Sequence, residues 1–146
     1  MGPLHNQYLK EQAGQDARRP VALPIVATDD SSKVLGFYIL SSKSIQLTDI
    51  PHELSRRLPR YPHLPATLLD RLTTDLSARG VGLARFLLID AMVRAVKSEI
   101  APVAFIVDAK DEAAVRFYER ESFLRLPEGR TRLLRRMSDI EAVLRS

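Results

Sequence analysis

The chain contains no cysteine. That excludes a disulfide framework and any thiolate zinc site, and it fits a reducing, cytosolic setting. Histidine is scarce: His5, His52 and His63 have no metal-like spacing and read as surface or loop residues. No apolar run approaches the roughly 18 residues needed to span a bilayer, so no membrane contact is expected. Met1-Gly2-Pro3-Leu4 lacks the basic-then-apolar layout of a signal peptide. Internal repeats and low-complexity segments are absent too. What remains is 146 residues, 45% hydrophobic and 27% charged, the balance of a soluble globular protein. This predicts one domain, 1–146, able to bury a core without metal or disulfide support.

Positive charge is in excess, with a formal +4 and a sequence pI near 9.7. The excess is clustered: Arg56, Arg57 and Arg60 form one group, and Arg130, Arg132, Arg135 and Arg136 another. Such clusters suit polyanions, either nucleic acid or the phosphates of a cofactor. They equally suit a solvated basic face.

Hydrophobic spacing predicts a helix over Leu4–Arg19, stopped by Pro20. Val21–Thr28 and Val34–Ser41 read as an antiparallel hairpin about an Asp29-Asp30-Ser31-Ser32 turn, with Pro24 marking an edge position or a bulge. A short strand over Ser44–Leu47 and a short helix over Asp49–Leu58, capped by Asp49, follow. Pro59, Pro62 and Pro65 keep the chain extended into a strand over Ala66–Leu76. Leu83–Ser98 is the strongest helix, with Leu83, Leu87, Ala91 and Ala95 in one stripe widened by Leu88 and Met92. Pro102–Asp108 reads as a buried strand, Asp111–Glu121 as a helix N-capped by Asp111, Phe123–Leu126 and Thr131–Met137 as strands, and the tail from Ser138 as a helix. Strands alternating with helices imply an α/β (α+β) fold, a mixed sheet with helices on both faces.

The informative segment is Arg79-Gly80-Val81-Gly82-Leu83-Ala84, where a strand runs through a two-glycine loop into the long helix. The first N–H groups of that helix have no partner within it, and its dipole favours anions there. Glycine lets backbone close on a phosphate without a Cβ in the way, and Arg79 adds charge. The segment is neither a Walker A loop nor a full G-x-G-x-x-G fingerprint. It could also be an ordinary tight turn.

Arg79 to Ala84 resembles the Q/R-x-x-G-x-G/A motif of GNAT acetyltransferases. Val107 to Arg120, ending in Phe117-Tyr118-Glu119-Arg120, is similar to the strand, helix and tyrosine that follow it, and Leu35 to Leu40 resembles the family's hairpin. Leu58-Pro-Arg-Tyr-Pro62 and Leu68-Leu-Asp-Arg-Leu72 sharpen the resemblance to the GNAT toxins of bacterial toxin–antitoxin pairs, of the TacT and AtaT type. It covers the chain from about Leu4 to about Met137.

The resemblance implies the GNAT fold, with a mixed, mostly antiparallel sheet, and acetyl-CoA as cofactor in a cleft between Leu68–Leu76 and Pro102–Asp108. It implies that Leu72, Thr73 and Thr74 pair with the pantetheine, that Arg79, Gly80, Val81, Gly82, Leu83 and Ala84 hold the pyrophosphate, and that Asp108, Lys110 and Ala113 lie along the CoA arm. It makes Tyr118 the catalytic residue. From the residues alone, Tyr118 would read as a core aromatic beside Phe117. A tyrosine is protonated at neutral pH and can donate to a leaving thiolate, while an α-amine titrating near 8 needs little help from a base. The implied activity is acetylation of the amino group of aminoacyl-tRNA, with the two arginine clusters on the RNA. The implied partners are a ribbon-helix-helix antitoxin and a second copy of the chain as homodimer.

The chain also departs from the toxins. It starts inside the region of their first helix, so their first strand is expected to be missing, leaving sheet backbone exposed. Ser122 stands where a glycine usually ends the helix carrying the tyrosine, which predicts a strained or different turn. Asp70 stands where the toxins mostly have glycine, Thr73-Thr74 replace a more apolar pair, and Arg135-Arg136 replace apolar strand residues. Two other functions therefore stay open: a GNAT enzyme acting on a small amine or protein N-terminus, and an inactive CoA-binding or antitoxin-binding module.

Overall fold

The computed structural model of the chain describes residues 8–11, by backbone alone, together with 22–127 and 131–145. The strands are β1 (Tyr8–Glu11), β2 (Ala22–Thr28), β3 (Val34–Gln46), β4 (His63–Thr74), β5 (Ala104–Asp108), β6 (Leu124–Arg125) and β7 (Arg132–Arg136). The helices are α1 (His52–Ser55), α2 (Leu83–Val96), α3 (Glu112–Arg120) and α4 (Met137–Arg145). Strand order in the sheet is β1-β2-β3-β4-β5-β7-β6. The chain forms two compact units: residues 1–41 with 69–91, and residues 42–68 with 92–146. β3, β4 and α2 each contribute residues to both.

In the first unit, β2 pairs antiparallel with β3, as the hairpin reading expected, and the register shifts at Ala27/Thr28. Pro24, which has no N–H to give, lies just beyond the β1 ladder, whose last pair is Glu11↔Ile25. The expected helix over Leu4–Arg19 is corrected at Tyr8–Glu11, which is a strand antiparallel to β2. The expectation of a missing first strand is corrected with it, because β1 holds that sheet edge. The physical reason is that helical spacing of a few apolar residues competes poorly with an edge strand whose N–H and C=O groups need partners.

Gly36 on β3 is buried, and a Cβ built on it would stand 2.9 Å from the Thr73 carbonyl oxygen, 3.0 Å from Leu87 Cδ1 and 3.2 Å from Leu83 Cδ2. A side chain there would collide with the β4 carbonyl and force the two α2 leucines to give way. Two residues on, Tyr38 is fully buried and donates its hydroxyl to the Asp90 carboxylate of α2. These contacts seat α2, whose expected stripe of Leu83, Leu87, Leu88, Ala91, Met92 and Ala95 is buried throughout.

In the second unit, β7 pairs antiparallel with both β5 and β6. β5 alternates between two faces. Ala104 and Ile106 join Ile45, Ile50, Leu54, Leu58, Leu64, Ala66, Leu126 and Leu134 in one apolar cluster, which covers α1. Phe105 faces the other way and meets Phe123 edge-to-face at 6.0 Å. Phe123 in turn packs against Tyr118 of α3, so α1 lies with one face of β5 and the end of α3 with the other. The short helix is smaller than expected: α1 spans His52–Ser55 with Pro51 as its N-cap, and a separate 3-10 turn occupies Leu47–Asp49. Asp49 cannot cap α1, because Pro51 fixes an extended backbone directly ahead of it (φ −53°, ψ 141°). The strands expected at Val34–Ser41 and Ser44–Leu47 are one continuous strand, β3.

Candidate active site

The loop expected to hold a pyrophosphate is built in the first unit. β4 ends at Thr74, and the Asp75 N–H closes onto the Leu35 carbonyl at 2.7 Å. Asp75 then caps a 3-10 turn over Leu76–Ala78 by accepting from the Ser77 N–H at 3.0 Å and from the Ser77 hydroxyl. Those bonds, the Ser77 hydroxyl first, hold the Asp75 carboxyl below the usual carboxylate range. Lys33 Nζ lies 3.7 Å from the same carboxylate. The turn delivers the chain to Arg79, which is exposed.

Gly80 and Gly82 both adopt positive φ, +82° and +80°, and a Cβ built on either would meet nothing within 4 Å. The glycines are required by conformation, and the space above them is open. Phe86 N–H bonds back to the Gly82 carbonyl at 3.0 Å, so the N–H groups of Leu83 and Ala84 lie ahead of that bond, at the positive end of the helix dipole. Val81 and Ala84 are half-buried and Leu83 is buried, anchoring the turn. Leu72, Thr73 and Thr74 are half-buried at the end of β4. An open backbone loop with two left-handed glycines, a helix start and an exposed arginine fits the diphosphate of a CoA donor.

The candidate tyrosine is built in the second unit. Asp111 caps α3 by accepting from the Ala114 N–H at 2.8 Å, as expected. Tyr118 is 4% exposed and packs edge-to-face on Phe117 (5.1 Å) and Phe123 (5.7 Å). Among the described residues its hydroxyl has no hydrogen-bond partner, an uncommon condition for a buried donor. Burial, and after it the Asp108 carboxylate, push that hydroxyl well above the ordinary tyrosine range.

The end of α3 is fixed at Tyr118 itself. Phe123 N–H bonds to the Tyr118 carbonyl at 3.1 Å and Ser122 N–H to the Glu119 carbonyl at 3.1 Å, the two bonds of a Schellman turn. Ser122 supplies the left-handed residue, with φ 73°. The expected strain is therefore present, but in the ordinary turn geometry.

Asp108, at the end of β5, is half-buried, whereas Lys110 and Ala113 are exposed. Arg132 grips both Asp108 oxygens, Nε to Oδ1 at 2.7 Å and Nη2 to Oδ2 at 2.9 Å. Arg135 donates to the Glu121 carbonyl at 3.2 Å, and Arg136 makes a two-bonded pair with Asp139 at 3.0 and 2.8 Å. The structure thus separates the two arginine groups. Arg132, Arg135 and Arg136 reach protein acceptors, and Arg130 lies outside the described residues. In the other group Arg56 lies 3.7 Å from Glu53, while Arg57 and Arg60 are exposed with no ion pair among the described residues.

A cleft of about 340 Å³ is rimmed by Lys43, Ser44, Gln46, Asp49 and Arg132 over Ile45, Ile50, Ile106 and Leu126. Among the described residues no group of His, Asp and Glu could hold a metal ion, and no helix is long and apolar enough to cross a membrane. Sequence reasoning missed Gly36, Tyr38, Asp90 and the Arg132–Asp108 pair. Only the Gly36-Phe37-Tyr38 step inside a strand gave a signal, since glycine there marks a close approach.

No family model matches the chain. A tRNA-acetylating toxin of Mycobacterium tuberculosis (strain ATCC 25618 / H37Rv) is 34% identical over 144 residues, covering 97% of this chain and 85% of the relative. A probable toxin TacT of Sinorhizobium fredii (strain NBRC 101917 / NGR234) is 26% identical over 129 residues, covering 82% and 71%. Among solved structures, a tyrosine-to-phenylalanine mutant of KacT and AtaT complexed with acetyl-methionyl-tRNAfMet each match with a TM-score of 0.79 at 20% identity. They cover 94% and 95% of this chain and 99% of their own. The architecture, the glycine loop and the first of these relatives converge: the chain belongs to the GNAT-type acetyltransferase toxins, the family of the tRNA-acetylating toxins.

Proposed function

We propose that the chain is an acetyl-CoA-dependent N-acetyltransferase that modifies the amino group of aminoacyl-tRNA, with Tyr118 as its general acid and residues 1–146 acting as one catalytic domain. The observation that carries this reading is the Tyr118 hydroxyl: buried, held protonated, and without an acceptor among the described residues. A donor left in that state is available to a group that arrives with the substrate.

Acetyl-CoA supplies the acetyl group as a thioester, from which the amine takes the acyl carbon while the C–S bond breaks. Tyr118 gives its proton to the departing sulfur, and the proton lost from the amine returns to the phenolate through water. Arg79 and the loop from Gly80 to Ala84 hold the pyrophosphate, and Leu72, Thr73 and Thr74 pair with the pantetheine. Asp108, Lys110 and Ala113 flank the CoA arm. Arg56, Arg57 and Arg60 are the cations best placed to meet tRNA phosphates, because Arg57 and Arg60 carry no competing ion pair among the described residues. The curated relative named for tRNA acetylation supports this substrate. The solved AtaT with bound acetyl-CoA, also complexed with the antitoxin AtaR, supports both the donor and an antitoxin partner. We assign that partner to the ribbon-helix-helix class, a second copy of the chain to a homodimer, and the activity to the cytoplasm.

The test is transfer of labelled acetyl from acetyl-CoA to an aminoacyl-tRNA pool, run beside Tyr118→Phe. Label in the tRNA fraction that falls about 10²–10⁴-fold in the variant is expected for loss of a general acid. Donor binding by titration without any transfer would remove the tRNA substrate.

A further inference from the structure

Between Glu53 and Asp70 the chain has no acidic residue, but it has Arg56, Arg57, Arg60 and one tyrosine, Tyr61. Residues 59–63 are exposed throughout. Both ends of that stretch are pinned in the apolar cluster of the second unit, by Leu58 and Leu64 at 6% and 3% exposure. The Leu47 N–H bonds to the Pro62 carbonyl at 3.0 Å and ties the stretch to the residue that follows β3. Pro59 and Pro62 fix φ on either side of Arg60-Tyr61, and Pro62 also holds Tyr61 toward an extended backbone. The bend is braced from within and open to solvent.

Tyr61 is 67% exposed. The other exposed large hydrophobic residues described, among them Leu76, Ile100 and Leu124, are aliphatic. Tyr61 is therefore the one such aromatic ring among the described residues. There its ring has no aromatic neighbour and its hydroxyl no hydrogen bond, just as Arg57 and Arg60 have no ion pair.

A free ring next to unpaired guanidinium groups matches the two chemical parts of a single strand. The cations meet phosphates, and the ring meets a base face, which only an unpaired nucleotide can offer. A duplex keeps those faces inside its own stack. An acidic peptide would satisfy the arginines and leave the ring unmatched. The proposed acceptor, aminoacyl-tRNA, carries its amino acid on a short unpaired 3′ end, so its free base faces lie next to the reacting amine. A proline-braced backbone and a side chain with two torsions lose little freedom on binding.

We infer that Tyr61 is a base-stacking residue for the unpaired 3′ end of the acceptor RNA, with Arg57 and Arg60 on the adjacent phosphates. This rests on the aminoacyl-tRNA reading and adds a base contact to the phosphate contacts that reading contains.

The experiment measures binding of the full chain, native, Tyr61→Leu, Tyr61→Phe and Arg60→Gln, to two RNAs: intact tRNA and tRNA trimmed of its unpaired 3′ nucleotides. Thermal melts verify folding, and acetyl transfer to an aminoacyl-tRNA pool by the native chain runs alongside. Tyr61→Leu keeps an apolar side chain and removes the ring. It is expected to weaken binding of intact tRNA about fivefold to a hundredfold, the scale of one lost base stack. Its salt slope should stay unchanged, and its affinity for the trimmed RNA should equal that of the native chain. Tyr61→Phe, which keeps the ring, should bind intact tRNA as the native chain does. Arg60→Gln should instead reduce the salt slope by about one, as for a lost phosphate contact. Equal weakening of both RNAs by Tyr61→Leu would place the contact away from the 3′ end and overturn the inference. Undiminished binding of intact tRNA by Tyr61→Leu, with acetyl transfer by the native chain, would overturn it and leave the substrate reading standing. A native chain that neither binds tRNA nor transfers acetyl to it would remove the substrate reading, and this inference with it.

Discussion

Gly36 lies directly against Thr73: a Cβ on the glycine would stand 2.9 Å from the threonine's carbonyl oxygen. The neighbouring Leu83 and Leu87 side chains can shift to admit a methyl group, but a strand carbonyl cannot. Gly36→Ala should cost about 1–3 kcal/mol, the usual penalty for overfilling a packed core. A thermal melt would show the loss. Because Thr73 is proposed to pair with the pantetheine, the variant should also bind acetyl-CoA more weakly. An unchanged melt would mean that the contact relaxes freely.

Gly82 makes a contrasting case, since its φ is +80° and a Cβ there would meet nothing within 4 Å. Gly82→Ala is therefore a conformational change without a clash. The expected cost is about 1–2 kcal/mol of left-handed backbone strain. Relief of that strain would rotate the loop's N–H groups away from the diphosphate. The expected result is a raised KM for acetyl-CoA with kcat largely kept, measured at saturating RNA acceptor.

Ser122 holds φ 73° at the end of α3, where glycine carries no Cβ penalty. Ser122→Gly should stabilise the chain by about 0.5–1 kcal/mol, allowing for the greater freedom glycine has when unfolded. Chemical denaturation with an unchanged m-value would report it. A loss of stability would mean that the serine hydroxyl contributes more than its backbone costs.

The Tyr118 hydroxyl should give two distinct pH signatures. Its folded pKa is raised by burial and then by Asp108, above the unfolded value near 10. The stability it contributes is therefore fully present below about pH 10 and is lost as pH climbs through the folded value. Unfolding midpoints of the native chain should fall more steeply above pH 10 than those of Tyr118→Phe. The rate, by contrast, should rise as the acceptor amine deprotonates near 8 and show no decline below pH 10, because the acid stays protonated. A descending limb between pH 8 and 10 would argue for a different acid.

What the sequence made legible follows from how local each signal is. The α2 stripe and the Asp111 cap could be read because helix spacing and caps are written within a few residues. The glycine loop was legible for the same reason. Asp49 was misread as a cap because Pro51, two residues later, sets the real boundary. The strand at Tyr8–Glu11 was hidden because its stabilisation comes from β2, more than ten residues away. Tyr38 and Asp90 are 52 positions apart, and Asp108 and Arg132 are 24 apart. Nothing in either local sequence announces the other, so the arginine was grouped with its neighbours in the chain when its partner lay across the sheet.

The Schellman turn after α3 ties two selective pressures to one backbone position. The carbonyl that accepts the turn's outer bond, the one spanning more residues, belongs to Tyr118, and the residue donating that bond, Phe123, also packs on the Tyr118 ring. A substitution that loosens the helix end would therefore disturb the side chain at the same time. Substitutions in this turn cannot be sorted into those that alter folding and those that alter turnover. Sequences drifting through it would be filtered by both at once, and a gain in one could hide a loss in the other.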